Sequence, residues 1–195
     1  MMSRYIWRGR DYGNSPSIQP YLQVSYKGFS FGAAGEYMLN GPGWQETDLY
    51  VSKSFEYLTL SVYDYYSFVD TLPGNLFEFR QDRTGHLFEL MAEVSGFSDW
   101  PVSLLASWLF AGYDTDNSLY FELGYHQPLD SGDLDFFVGF TPYKSYYAPR
   151  AALVNIGVTF TKGLNFSANY TMPVQLSVVL NPEDKRLYMV AGFTL

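Results

Sequence analysis

The sequence contains no cysteine, which excludes disulfides, thiolate metal ligands and cysteine nucleophiles. Charge is also scarce: Asp, Glu, Lys and Arg make up only 16% of the chain, against roughly 25% in average soluble domains. Basic residues are the rarer sign, since 12 Lys and Arg face 20 Asp and Glu and give a formal net charge of -8. No basic stripe is present to neutralise phosphates, so a nucleic-acid partner is excluded.

Long apolar runs are missing as well. No stretch approaches the roughly 18 apolar residues that a membrane-spanning helix needs, and no apolar stripe at helical spacing persists along the chain. The first residues, MMSRYIW, lack the basic region, apolar run and cleavage site of an export signal, so we expect any such signal to have been removed. The length of 195 residues predicts a single domain, 1–195.

Aromatic residues, at 19%, are abundant, and apolar residues alternate with polar ones from end to end. Alternation with a period of two is typical of β-strands, so the pattern predicts an all-β chain. Clusters of Gly, Pro, Asn and Asp divide the chain into about twelve strands, an even number. The predicted strands are 3–9, 18–27, 29–39, 46–55, 58–66, 86–96, 102–112, 118–127, 134–141, 151–161, 164–172 and 186–195.

The connections alternate between short and long. YKGF, FEYL and TKGL are tight links and FSDWPV and QPLDSG somewhat longer ones, whereas the links between them include NGPGWQ, SFVDTLPGNLFEFRQDRTG, PYKSYYAPR and PVQLSVVLNPEDK. This order predicts a closed antiparallel up-and-down transmembrane β-barrel with short periplasmic turns and longer extracellular loops, in the outer membrane of a Gram-negative bacterium.

The two faces of the predicted sheet differ in chemistry. One face is almost free of charge and the other carries small, polar or acidic residues. The apolar rows include Leu22, Val24, Phe31, Leu104, Trp108, Val154, Phe160 and the final set Leu187, Met189, Ala191, Phe193 and Leu195. A soluble sandwich, with these rows packed between two layers, is the alternative. In hydrocarbon every backbone amide must be paired, so the barrel interpretation requires the last strand to seal against the first.

Several stretches resemble the outer-membrane porins of the Gcw-chp or TorF-like family. SRYIWRG, SPSIQPYLQVSYKGFSFGAAGEY and ETDLYVS carry the likeness at the start, and SLYFELGY, VNIGVTFTKGL and VVLNPEDKRLYMVAGFTL follow the same plan. The resemblance implies an outer-membrane barrel with a channel role. It supplies no catalytic residues to transfer.

Acidic residues outnumber basic ones on the predicted lumen face. The candidate pore-lining residues are Arg4, Arg8, Glu36, Glu46, Asp48, Glu89, Glu93, Glu122 and Asp135. An open lumen of this kind would favour cations, which predicts a porin-like channel for passive diffusion of small solutes. The alternative is a closed interior in which Arg4 and Arg8 pair with carboxylates, and a barrel that acts as a structural or assembly anchor.

An enzyme is the less favoured reading. Only His86 and His126 could act as bases, and neither has an identifiable partner in the sequence, so we predict no catalytic residue. The acids around Asp114 and Asp130 lack a calcium-loop spacing, and we predict neither a metal nor a cofactor. The expected protein is a monomer in contact with outer-membrane lipids and lipopolysaccharide, with small solutes or cations in its lumen.

Overall fold

The computed structural model describes residues 1–40, 44–68, 75–97, 100–167 and 169–195. Parts of three predicted connections (41–43, 69–74 and 98–99) and Ala168 of the predicted strand 164–172 lie outside the described residues. The described ranges form strands joined by turns and loops. They include no helix that is long and apolar enough to cross a membrane.

Within the described ranges, fourteen strands form two antiparallel sheets. The strands are β1 (Ile6–Trp7), β2 (Arg10–Asp11), β3 (Ser17–Ile18), β4 (Tyr21–Tyr26), β5 (Phe29–Met38), β6 (Gln45–Ser54), β7 (Leu58–Ser67), β8 (His86–Val94), β9 (Val102–Gly112), β10 (Leu119–Leu129), β11 (Gly132–Thr141), β12 (Ala152–Ser167), β13 (Tyr170–Asn181) and β14 (Arg186–Phe193). β1 and β2 pair only with each other, whereas the other strands form one 12-stranded sheet. Each strand from β5 to β14 pairs with its sequence neighbour, which confirms the all-β antiparallel up-and-down prediction.

The two ends of the large sheet carry different connections. At one end, which we call the tight-turn end, the links span 27–28, 55–57, 95–101, 130–131 and 168–169. At the other, the long-loop end, they span 39–44, 68–85, 113–118, 142–151 and 182–185. Most of the links follow the alternation predicted from the sequence, but 95–101 is longer than 39–44, 113–118 and 182–185.

Two strand predictions were wrong. The segment 3–9 does not form one strand of the large sheet, because the chain turns back at Arg8 and Gly9 and pairs β1 with β2. Both turn residues have positive φ, 49° and 79°, as a two-residue hairpin turn requires. TKGL is not a turn either: β12 runs through it, and β13 extends to Asn181 across most of the predicted loop PVQLSVVLNPEDK.

The first and last strands of the paired order come together through the N-terminal residues. β14 and β3 stand at opposite ends of that order, and no strand ladder joins β14 directly to β3 or β4 within the described ranges. Met2, however, forms antiparallel bridges with both Gly192 of β14 and Ser17 of β3. The Met2 N–H donates to the Ser17 carbonyl at 3.0 Å, and the Ser3 N–H donates to the Ala191 carbonyl at 2.7 Å.

Burial is inverted relative to a soluble sheet. Large apolar side chains are exposed, among them Leu22 at 72%, Leu104 at 55% and Met189 at 67% of their full surface. The buried residues include Ser61, Glu89, Ser107, Asn155, Ser177 and Asn181. The apolar rows are thus not packed between two layers, and the sandwich alternative does not describe this molecule.

One residue of the predicted apolar rows lies on the other face. The register of β11 against β12 shifts after the Gly139–Asn155 pair, so that Phe140 pairs with Leu153 and Val154 is left between. Such a bulge turns an extra side chain to one face. Val154 is fully buried and Leu153 is exposed in its place.

Candidate functional site

The hairpin of β1 and β2 lies on the polar face of the large sheet. We call residues 3–15 the N-terminal hairpin. At its tip, Arg8 Nη1 donates to Glu89 Oε1 of β8 at 2.5 Å, and the two side chains are only 8% and 0% exposed. The Tyr65 hydroxyl donates to the other oxygen of Glu89 at 2.7 Å. A buried carboxylate therefore has both a charge partner and a neutral donor.

Aromatic rings enclose the Arg8 guanidinium. Its carbon lies 4.6 Å from the Trp7 ring centroid and 4.4 Å from that of Tyr120, which is cation–π geometry. Arg8 also donates to the Tyr147 hydroxyl, in the loop 142–151. Burial raises the pKa of Tyr147, so this hydroxyl stays neutral. The tip is held by charge, hydrogen bonds and ring contacts together.

An apolar cluster on the polar face anchors the hairpin. Its buried members are Leu87, Leu109, Tyr120, Tyr147, Ala148 and Val154. Trp7 packs against this cluster, with ring centroids 5.7 Å from Tyr65 and 5.6 Å from Tyr147. The main apolar packing of the molecule therefore surrounds the hairpin, while the apolar rows of the strands face away from it.

Contacts of the hairpin reach strands that are far apart in the sheet order. Besides β7 and β8, the Gly9 carbonyl accepts a hydrogen bond from Asn181 Nδ2 of β13 at 3.2 Å. The Tyr5 hydroxyl lies 3.4 Å from Glu46 Oε1 of β6. A segment that contacts β6, β8 and β13 at once requires the sheet to curve around it.

Three acidic residues of the predicted set form a compact group beside the hairpin. Glu36 of β5 pairs across the strands with Glu46 of β6, and Asp48 lies two residues further along the same face. One carboxylate oxygen of each residue lies within 4.8 Å of one oxygen of the other two. Glu46 accepts hydrogen bonds from Trp44 at 3.0 Å and Ser67 at 2.6 Å. Across the described ranges, no Lys or Arg forms an ion pair with any of the three.

Two other predicted residues have polar partners on strands β10 and β12. Glu122 of β10 accepts hydrogen bonds from Tyr120 and, at 2.9 Å, from Asn155 Nδ2. Asp135 of β11 lies 2.7 Å from His126 Nδ1, and both of these side chains are about half exposed. Hydrogen-bonded partners thus hold both carboxylates in place.

The last two predicted residues are Arg4 and Glu93. Arg4 pairs with Asp11 inside the hairpin instead of with a carboxylate of the wall, and it also donates to Asn14 at 2.5 Å. Glu93 of β8 is half-buried, opposite Thr59 on one side and Leu105 on the other. Of the two predicted bases, only Arg8 meets a wall carboxylate.

Open space remains on one side of the hairpin. A cavity of about 290 Å³ separates it from the wall formed by β11 to β14. Asn155, Thr159, Gln175 and Ser177 line it on the wall side, and Arg4 on the hairpin side. The hairpin is therefore packed against β6 to β10 and only loosely against the opposite wall.

Sequence reasoning did not find the hairpin. The sequence predicted a strand of the large sheet at 3–9 and placed Arg4 and Arg8 among the pore-lining residues. The signal was present in SRYIWRGRDYGN, where RG separates two short segments rich in aromatic and charged residues. Arg–Gly is weaker as a hairpin turn signal than Asn–Gly or Asp–Gly, which explains the miss.

His86 has a partner that the sequence did not reveal. Its Nδ1 lies 2.7 Å from Asp64 Oδ1, but its Nε2 lies 2.9 Å from the Leu76 carbonyl. With both ring nitrogens engaged, the imidazole has no free nitrogen with which to activate a nucleophile. Asp114 caps its own loop by accepting from the N–H groups of Asp116 and Ser118.

Comparison with known proteins adds no further assignment. The chain matches no protein-family model, no curated protein and no solved structure. The resemblance to the Gcw-chp or TorF-like porins accordingly stays a prediction based on the quoted stretches of sequence.

Proposed function

We propose that this protein is an outer-membrane β-barrel whose bore is a porin-like, cation-favouring channel kept closed by the N-terminal hairpin. The observation that carries the proposal is the inverted burial of the large sheet. Its apolar side chains are exposed in continuous rows while Glu89, Asn181 and other polar side chains are buried. A lipid environment would make both the exposed apolar rows and the buried polar side chains favourable.

Closure of the sheet into a barrel is supported by the N-terminal residues. Met2 bridges Gly192 and Ser17, so residues 1–3 would act as the strand between β14 and β3. A barrel in hydrocarbon leaves no unpaired edge, because each unpaired backbone group costs several kcal/mol there. Residues 1–3 would supply part of the pairing that closure at the seam requires.

The size of the exposed apolar surface supports insertion into a membrane. Monomeric soluble proteins rarely expose contiguous apolar patches of more than a few hundred Å², whereas here the apolar rows continue from β4 to β14. Outer-membrane lipids would cover this surface around a monomer. Arg83 and Arg150, exposed at the long-loop end, would meet the phosphates of lipopolysaccharide.

The channel proposal is based on the acidic side chains of the polar face. Glu122, Asp135 and the other acidic side chains of the polar face would favour cations along the bore. We place the hairpin in the middle of this route, with the cavity of about 290 Å³ beside it as one space open to water and small solutes. Conduction would therefore increase when the hairpin leaves its site.

A structural anchor is the second candidate. The hairpin is held by the Arg8–Glu89 ion pair, by ring contacts of Trp7 and by the Asn181 hydrogen bond. An interior fastened at so many points favours a permanently closed barrel that presents its long loops to partners. The two candidates differ in whether the hairpin can be displaced.

Conductance across a planar lipid bilayer tests the channel. The wild-type protein is compared with the double variant Arg8→Ala/Glu89→Gln, which frees the hairpin tip without leaving a buried charge. We expect rare openings in the wild type and frequent, cation-selective openings in the variant. Arg150→Ala, which removes an exposed base, serves as the control and should behave as wild type. Silence of all three proteins would contradict the channel and support the anchor.

A further inference from the structure

We propose that Glu36, Glu46 and Asp48 form a binding site for a divalent cation of the calcium type. The three carboxylates lie on adjacent strands β5 and β6, and one oxygen from each lies within 4.8 Å of one oxygen of the other two. That spacing suits a single ion bridging oxygens at 2.3–2.6 Å, the usual range for calcium ligands. The site is independent of the channel: it would be present in an anchor as well.

The unsatisfied oxygens are the second observation that points to a ligand. Asp48 is only 5% exposed, and its Oδ1 is buried without a hydrogen-bond partner in the described part of the chain. Glu36 Oε2 is also a buried oxygen without a hydrogen-bond partner in that part of the chain. Buried carboxylate oxygens are normally hydrogen-bonded or bound to a metal, since an unpaired buried charge is costly. The two oxygens belong to the same acidic group.

Charge balance leads to the same conclusion. Glu36 stands directly opposite Glu46 in the strand register, and like charges at opposed positions destabilise a sheet. Arg8 is engaged by Glu89 and forms no ion pair with any of the three in the described part of the chain. A divalent cation would compensate most of the charge of the group.

Neutral groups already orient one of the ligands. Trp44 and Ser67 both donate to Glu46 Oε2, and the Tyr5 hydroxyl approaches Oε1. Such supporting hydrogen bonds fix ligand carboxylates in established metal sites. They leave Glu36 Oε2 and Asp48 Oδ1 without a protein donor, and these are the oxygens most in need of a cation.

The donor set selects the kind of ion. All three ligands are carboxylates, which suit hard cations, and the group contains neither His nor Cys to attract zinc or copper. Magnesium prefers near-ideal octahedral geometry and keeps several waters, whereas calcium accepts 6–8 oxygens in irregular arrangements. A buried group of carboxylates from two adjacent strands fits the calcium preference.

Terbium luminescence tests the site with a built-in reporter. Tb³⁺ replaces calcium at oxygen sites and emits when a nearby indole is excited, and Trp44 Nε1 lies 3.0 Å from Glu46 Oε2. The detergent-solubilised full chain is titrated with Tb³⁺ and then with Ca²⁺ or Mg²⁺. We expect saturable emission that Ca²⁺ removes and that equal Mg²⁺ does not. Emission should be weaker in Trp44→Phe, where only tyrosines such as Tyr5 remain close to the ion.

Matched variants separate the site from surface binding. Asp48→Asn and Glu36→Gln should each weaken Tb³⁺ binding by at least about tenfold, whereas Asp130→Asn, an equal charge change on an exposed turn, should leave it unchanged. No emission in the wild type, or equal affinity in Asp48→Asn, would overturn the proposal. Competition by Mg²⁺ as strong as by Ca²⁺ would overturn it too.

Thermal unfolding provides a readout that does not depend on Trp44. Calcium that binds the folded state raises the unfolding temperature of the wild type relative to EGTA. Asp48→Asn relieves an unpaired charge, so it should fold and be at least as heat-stable as wild type in EGTA, but without the calcium-dependent rise. A calcium-dependent rise equal to that of wild type in both Asp48→Asn and Glu36→Gln would contradict the site.

Discussion

Arg8 and Glu89 are separated by 81 positions in the sequence, yet their side chains meet in an ion pair that is almost fully buried. This contact joins the turn of the N-terminal hairpin to the middle of β8. A buried ion pair contributes little net stability over an apolar pair, but removing one partner leaves an uncompensated charge. The pair therefore determines where the hairpin sits more than how stable the sheet is.

Removing one partner of the Arg8–Glu89 ion pair should lower the stability of the protein. We expect Arg8→Met to lower the free energy of unfolding by about 3 to 5 kcal/mol, because Glu89 would remain buried and charged. The double variant Arg8→Met/Glu89→Gln should recover much of that loss. Denaturant unfolding of the detergent-solubilised protein measures both. A double variant that is no better than Arg8→Met would contradict the paired-charge explanation.

The ion pair of Arg150 and Glu183 provides the control for the Arg8 variants. Arg150 pairs with Glu183 at 3.0 Å, and its side chain is 73% exposed. Pairs of this kind are worth about 0 to 1 kcal/mol. Arg150→Ala should accordingly leave the unfolding midpoint nearly unchanged under the same conditions.

Gly9 should tolerate no side chain. It has φ +79°, and a Cβ there would lie 1.9 Å from the Val154 carbonyl oxygen of β12. Gly96 has a similar φ of +67°, but no atom of the described residues lies within 4 Å of its added Cβ. We expect Gly9→Ala to destabilise the protein by at least about 1 kcal/mol more than Gly96→Ala, because the overpacked backbone must move. Equal effects in denaturant unfolding would show that the hairpin tip does not touch β12.

The strand pattern could be predicted from the sequence, but the N-terminal hairpin that packs on the polar face of the sheet could not. Period-two alternation and turn residues predicted an antiparallel up-and-down order, because both signals are local. The hairpin was missed because it is fixed by contacts such as Arg8 with Glu89 and Gly9 with Asn181, between residues distant in sequence. No local pattern specifies which strand a short segment will face.

The errors in the sequence prediction at Pro173 and Val154 each have a cause in the residues close by. Pro173 interrupts the run after β12 and argues against a central strand, although β13 passes through it with its carbonyl accepting from the Thr194 N–H at 3.0 Å. The shift at Gly139 moved Val154 to the polar face, and a bulge of one residue leaves no mark in the alternation before it. The acidic residues Glu36, Glu46 and Asp48 were assigned to one face, and they do lie together.

The seam at Met2 can be locked covalently, because the natural chain has no cysteine to interfere. Met2 and Gly192 are paired across antiparallel segments, which places their Cβ positions within disulfide reach. We expect Met2→Cys/Gly192→Cys to oxidise spontaneously and to form a disulfide-linked species that a reducing agent reverses on a denaturing gel. Met2→Cys/Val178→Cys should remain reduced. Failure of the first pair to oxidise would contradict closure through residues 1–3.

The direct test of the membrane barrel is to ask which face of one strand touches lipid. Single cysteines at Leu176 and Ser177, adjacent on β13 but exposed and buried respectively, are labelled with an environment-sensitive fluorophore before the protein is folded into liposomes. Lipids that carry a quencher on the acyl chain are then added. The barrel predicts strong quenching at Leu176 and little at Ser177; equal quenching at both positions, or a protein that stays in water without detergent or lipid, would contradict it.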